Sequence, residues 1–151
     1  MSEGTLEASG RRRISEESLH ISSFNLVKRE PDELLLIKAT DAHPLSFRRG
    51  KLMLPATMLH YGERPSHAAK RALTAQLTGM EDLEDKFVDL QSYMGSHWDI
   101  VFVFEFKTAE GVEVTAKTPY GGAAFYDLAS LPKDQIAEDH LEVIEGLKRT
   151  Q

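Results

Sequence analysis

Between Phe47 and Met80 the chain gathers the side chains with the most chemical reach. Six bases, Arg48, Arg49, Lys51, Arg64, Lys70 and Arg71, stand against one acid, Glu63. Six against one leaves this segment at +5, so the rest of a chain whose net charge is −6 carries −11. A basic stretch inside an acidic protein suits either an anion site or one solvated face. Glu63 suits a metal ligand, or an acid held by the positive end of a helix. His60 and His67 flank it, where an imidazole serves as a phosphate contact, a base or a half-exposed loop residue. Directly afterwards Glu81, Glu84 and Asp85 open an acidic turn. His97, Trp98 and Asp99 precede the most apolar run of the chain, where Trp98 suits stacking on a base or closing the edge of the core.

Composition narrows the classes these groups can serve. The 151 residues are 41% hydrophobic and 28% charged, which fits one folded domain rather than a disordered chain. There is no cysteine, so disulfides, thiolate zinc sites and a cysteine nucleophile are excluded. No apolar run approaches the roughly 18 residues of a membrane span, and the first 19 residues lack the apolar core of a secretory signal. The expectation is a cytoplasmic protein without membrane contact. The net negative charge argues against a nucleic-acid partner.

These groups must be positioned by regular elements. Residues 1–18 read as a flexible tail carrying Arg11, Arg12 and Arg13, and 19–151 as the domain. His20–Lys28 and Leu34–Ala39, joined by Glu30-Pro31-Asp32-Glu33, predict a β-hairpin. Lys51–Met58 predicts a strand interrupted by Pro55. Ser66–Leu77 predicts a helix, with Ser66 as N-cap, Ala69, Leu73 and Leu77 as its core stripe, and Gly79 at its left-handed end. Leu83–Met94 and Asp99–Lys107 predict strands, the second buried on both faces. Val112–Ala116 is expected as the hairpin partner of the latter. Tyr120-Gly121-Gly122 is expected as a loop, Ala123–Asp127 as a strand, and Lys133–Leu147 as an amphipathic helix with Ile136, His140, Val143, Ile144 and Leu147 on one side. The order predicts a mixed sheet with a helix on either face, an α/β sandwich.

Within that frame, Leu54-Pro55-Ala56-Thr57, then Gly62-Glu63-Arg64-Pro65, then Ala68-Ala69-Lys70-Arg71, then Gly79-Met80 resembles the box of the Nudix family. That box reads G-x5-E-x7-R-E-U-x-E-E-x-G-U, with U aliphatic, often introduced by Leu-Pro-Gly-Gly. Thr57, Glu63 and Arg71 keep the spacing of its glycine, glutamate and arginine. The closing stretch, Ala124 to Pro132 and then Ala137 to His140, resembles the family's last strand and C-terminal helix. The resemblance covers about Ile21 to Leu147 and implies a Nudix-like α/β/α sandwich with a mixed β-sheet. It also implies that Arg71 pairs with Glu63.

The departures bear on chemistry. Ala56-Thr57 replaces the glycine pair, Ala72 the glutamate after the arginine, and Ala75-Gln76 the Glu-Glu pair; no acid lies between Glu63 and Glu81. Gly79 falls one residue late. The family cleaves pyrophosphate bonds with magnesium or manganese, hard cations that take several oxygen ligands. Three readings follow. The first is a non-hydrolytic or strongly impaired member. It binds a nucleotide-like or other phosphorylated ligand through Lys70, Arg71, His67 and Gln76, with Lys70 and Arg71 partly replacing the metal and no cofactor assigned. The second is an active pyrophosphohydrolase with Glu63 catalytic, relocated ligands Glu63, Glu81 and Glu84, and Mg or Mn as cofactor. The third is an interaction domain without a small ligand. A homodimer is expected from the resemblance alone.

Overall fold

The computed structural model describes residues 19–149 apart from 82, 96 and 110. The proposed tail, with its three arginines, lies outside the described residues.

β1 (Leu19–Arg29) and β2 (Glu33–Ala39) form the expected hairpin, with Lys28 opposite Leu34 and Arg29 opposite Glu33. Two short strands follow, β3 (Leu52–Met53) and β4 (Ala56–Met58), separated around Pro55, which has no N–H for a sheet ladder. Then come α1 (Pro65–Gln76), β5 (Leu77–Thr78), β6 (Lys86–Met94), β7 (Trp98–Lys107), β8 (Thr115–Ala116), β9 (Tyr120–Asp127) and α2 (Glu138–Arg149). The main sheet runs β3-β2-β1-β7-β6, with β4 also paired to β1 and β9 to β2. β1 and β7 are parallel from Leu19–Trp98 to Lys28–Lys107, and the other pairs are antiparallel. The sheet is therefore mixed.

Alternation along β1 and β7 divides the core in two. Val27, Phe104 and Phe106 join Leu35, Ile37 and the α1 residues Ala69 and Leu73. Phe24, Leu26, Val101 and Val103 join Leu34, Leu36 and the α2 residues Val143 and Ile144. A sheet with apolar residues on both faces needs a cover on each, and the two helices supply it. This is the α/β/α sandwich expected from the order of elements.

Five local expectations are corrected. Ser66 is not the N-cap of α1: Arg64 holds that position without a side-chain cap bond, and Pro65 occupies the first helical residue, where its missing N–H costs nothing. Gly79 does not end the helix. Leu77 leaves it in extended conformation, and Gly79 takes φ +82° beyond β5, with a notional Cβ 2.6 Å from the Glu113 carbonyl oxygen. Val112–Ala116 does not pair with β7, whose two sides are already taken by β1 and β6. Its strand β8 pairs with β5 instead, Leu77 opposite Ala116. Tyr120-Gly121-Gly122 is part of β9, not a loop, because β2 has a free edge that β9 follows as far as Ala39. The C-terminal helix also begins later than Lys133. Lys133–Gln135 is a separate 3-10 turn, and Ala137 donates its N–H to the Leu52 carbonyl before α2 begins. Among the described residues no helix is long and apolar enough to cross a membrane.

Candidate functional site

The box segment is built on β1. Ser23 and Asn25 alternate with the apolar residues of that strand, and both are fully buried. Ser23 Oγ donates to the Pro65 carbonyl at 2.7 Å and Asn25 Nδ2 to the Ala69 carbonyl at 2.9 Å. These two bonds dock α1 on the sheet. They were missed from sequence; the legible signal was two polar residues at inward positions of an apolar strand. On the other side of β1, Ser22, Ser23 and Phe24 pair with Met58, Thr57 and Ala56 of β4.

Between β4 and α1 the chain turns at His60–Glu63, where Glu63 N–H donates to the His60 carbonyl at 3.0 Å and Gly62 takes φ +75°. The turn delivers the Glu63 side chain, only 6% exposed, to the guanidinium of Arg71. Arg71 Nε donates to Oε2 and Nη2 to Oε1, both at 2.9 Å, a bidentate pair. Oε1 also accepts the His60 N–H at 2.9 Å. The Arg71 bond, then the His60 N–H, holds the Glu63 carboxyl down at about 2, and the same bond raises the Arg71 pKa. Arg71 reaches further, from Nη2 to the Met58 carbonyl at 2.8 Å and from Nη1 to Thr57 Oγ1 at 3.4 Å. One side chain thus ties β4, the turn and α1 together.

Gln76 plays a similar part at the other end of the helix. Its Nε2 donates to the Ala56 carbonyl at 2.8 Å and its Oε1 accepts the Ala56 N–H at 3.3 Å. The amide closes on β4 as a neighbouring strand would. Lys117, also missed from sequence, satisfies the last carbonyls of α1: its N–H donates to Gln76 at 2.8 Å and its Nζ to Thr74 at 2.6 Å.

Arg71, Gln76 and Glu63 are therefore engaged inside the protein. His67, its side chain 74% exposed, lies with Nδ1 3.4 Å from Glu63 Oε2, and His60 Nδ1 lies 4.0 Å from Oε1. Lys70 is exposed and meets Asp85 at 3.2 Å. Glu81 and Glu84 are exposed. Among the described residues, neither they nor Glu63 belong to a group of three or more His, Asp or Glu with converging ligand atoms. Ala72 is buried and Ala75 exposed. From the α2 side, His140 Nδ1 accepts the Leu54 N–H at 3.0 Å, holding the Leu54-Pro55 entry to the box. Burial, opposed by Asp139 and aided by Arg48 and His43, lowers the His140 pKa to about 3.

No family model and no curated protein matches the sequence. Solved structures do match, Nudix hydrolases among them. A Nudix hydrolase from Nitrosomonas europaea is 15% identical with a TM-score of 0.63, over 91% of this chain and 74% of that one. The Nudix domain of NrtR from Shewanella oneidensis, solved with ADP ribose, is 15% identical with a TM-score of 0.63, over 88% of each chain. A bifunctional NMN adenylyltransferase/ADP ribose pyrophosphatase from Francisella tularensis, solved with AMP and a manganese ion, is 20% identical with a TM-score of 0.62; the match spans 87% of this chain but 41% of that one. These likenesses establish the architecture: the chain has the Nudix fold. At this identity they assign it no substrate.

Proposed function

We propose that this chain is a non-hydrolytic or strongly impaired Nudix-type protein that binds a nucleotide-like or other phosphorylated ligand. The observation that carries the reading is the donor set beside the box helix. α1 has no carboxylate, Gln76 is closed on Ala56, and the charge of Glu63 is matched by a bidentate Arg71. Magnesium and manganese take oxygen donors, with one or two carboxylates anchoring the ion among waters and phosphates, and beside α1 the carboxylate of Glu63 is already held by Arg71. The exposed ionisable groups of α1 itself are Lys70 and His67, which suit an anion. On this reading Lys70 and His67 touch the ligand, while Arg71 and Gln76 hold the frame around it. The ADP ribose of the Shewanella protein and the AMP of the Francisella one make nucleotide-like probes the first choice. The reading keeps the chain in the cytoplasm, off nucleic acid and membranes, and paired as a homodimer.

Isothermal titration with ADP-ribose, NADH and nucleoside triphosphates, without divalent metal, tests it. Binding that weakens in Lys70→Ala supports the proposal. Absence of binding, together with pyrophosphate cleavage when magnesium or manganese is added, defeats it in favour of an active hydrolase. In that case Glu63→Gln abolishes turnover. Sedimentation velocity reads the dimer as twice the chain mass.

A further inference from the structure

We propose that His20, His97 and Asp99 form a binding site for a divalent transition-metal ion of the zinc class, on the sheet face opposite α1. His20 and Asp99 are partners in the parallel register of β1 and β7, so their side chains leave the sheet on the same side. His97 stands two residues before Asp99, at the mouth of β7, and joins them there. His20 Nδ1 lies 3.7 Å from Asp99 Oδ1 and His97 Nε2 lies 3.2 Å from Asp99 Oδ2. The two imidazole rings have centroids 3.9 Å apart, and one ligand atom from each of the three residues lies within 4.8 Å of the others. Ligands held tetrahedrally at zinc bond lengths sit about 3.4 Å from one another. The two nitrogen–oxygen distances, each to a different oxygen of Asp99, lie on either side of that value.

The chemistry of the donors selects the ion. Two imidazole nitrogens and one carboxylate suit zinc and its neighbours in the first transition row; magnesium and calcium prefer all-oxygen shells. The three side chains are 31%, 33% and 39% exposed, open enough for an ion to enter and for water to complete its shell. The site is separate from the box. His20 alternates in phase with Phe24 and Leu26, and Asp99 with Val101 and Val103, all in the core beneath α2, whereas Ser23 and Asn25 of the opposite phase hold α1. A bound ion would staple the β6–β7 turn to the start of β1. This inference does not depend on the reading of the box.

The untagged full chain is titrated with zinc by calorimetry and with cobalt by fluorescence, since Trp98, its one tryptophan, stands between two of the ligands. The expected result is one saturable equivalent of zinc, EDTA-reversible quenching of Trp98 by cobalt, and a melting temperature that rises with zinc. His97→Ala and Asp99→Asn should each weaken binding by at least about ten-fold. Their circular dichroism and metal-free melting temperature, kept close to wild type, separate loss of ligand from loss of fold. Should the wild type bind no stoichiometric zinc, or should His97→Ala and Asp99→Asn bind it as tightly, the inference fails. It fails equally if His60→Ala with His67→Ala is what removes the ion, because the site then belongs to the box loop.

Discussion

Arg71 shows how much one side chain organises here. Its planar fork meets both oxygens of Glu63 while the same guanidinium reaches Met58 and Thr57. Lysine has one compact donor head and cannot span these partners. Arg71→Lys should therefore lower the melting temperature and speed amide exchange across the His60–Glu63 turn; exchange unchanged from wild type would refute this role. Lys70→Ala should instead leave the melting temperature nearly unaltered and reduce ligand affinity. The buried His140 sets a pH dependence. Its folded pKa, about 3, lies below its ordinary 6.5, so in that window the unfolded chain binds the extra proton and stability falls as pH falls. The loss runs at roughly 1 kcal/mol per pH unit. His43, lowered first by burial, adds to it in the same direction. Glu63, held at about 2 against 4.5, contributes stability above 4.5 that is lost only as pH falls from there through about 2. Denaturant melts between pH 6.5 and 4.5 thus isolate the histidines, and His140→Gln should flatten the slope there.

At the scale of elements, α1 depends on one apolar stripe and a few polar ties. Leu73 is 1% exposed in the α1-side core, and Leu73→Ala should cost about 2–5 kcal/mol in denaturant unfolding. Gly79→Ala should cost about 1–3 kcal/mol, since it must hold φ +82° against the Glu113 carbonyl. The long elements were legible in sequence. β1, β2, β7 and both helices carry enough apolar residues to declare their type, and the resemblance to the Nudix box implied the pairing of Glu63 with Arg71. The short ones were not. β5 and β8 have two residues each, too few for a pattern, and exist because the end of α1 meets the segment before β9. Gly121 and Gly122 read as a loop by composition, yet Gly122 pairs with Lys38 of β2 and Gly121 falls at the irregularity before Tyr120 meets Ala39.

For the whole molecule, ligand linkage offers the broadest test. A nucleotide-like ligand that binds only the folded state should raise stability by about 2.7 kcal/mol at a hundred times its dissociation constant, without divalent metal. Because Lys70 is exposed, that gain should shrink as salt screens its charge. Thermal shift across a salt series reads both, and a gain appearing only with magnesium would contradict the box reading. The residues by themselves determined the α/β class, two covering helices and the absence of carboxylates along α1. Those are properties of local spacing and side-chain type, which the chain carries before it folds. Only the tertiary structure decided that Arg71 and Gln76 face inward to β4, and that His20 lies beside Asp99. Such partners are distant in sequence, and their meeting depends on strand register, which the packing of both sheet faces selects.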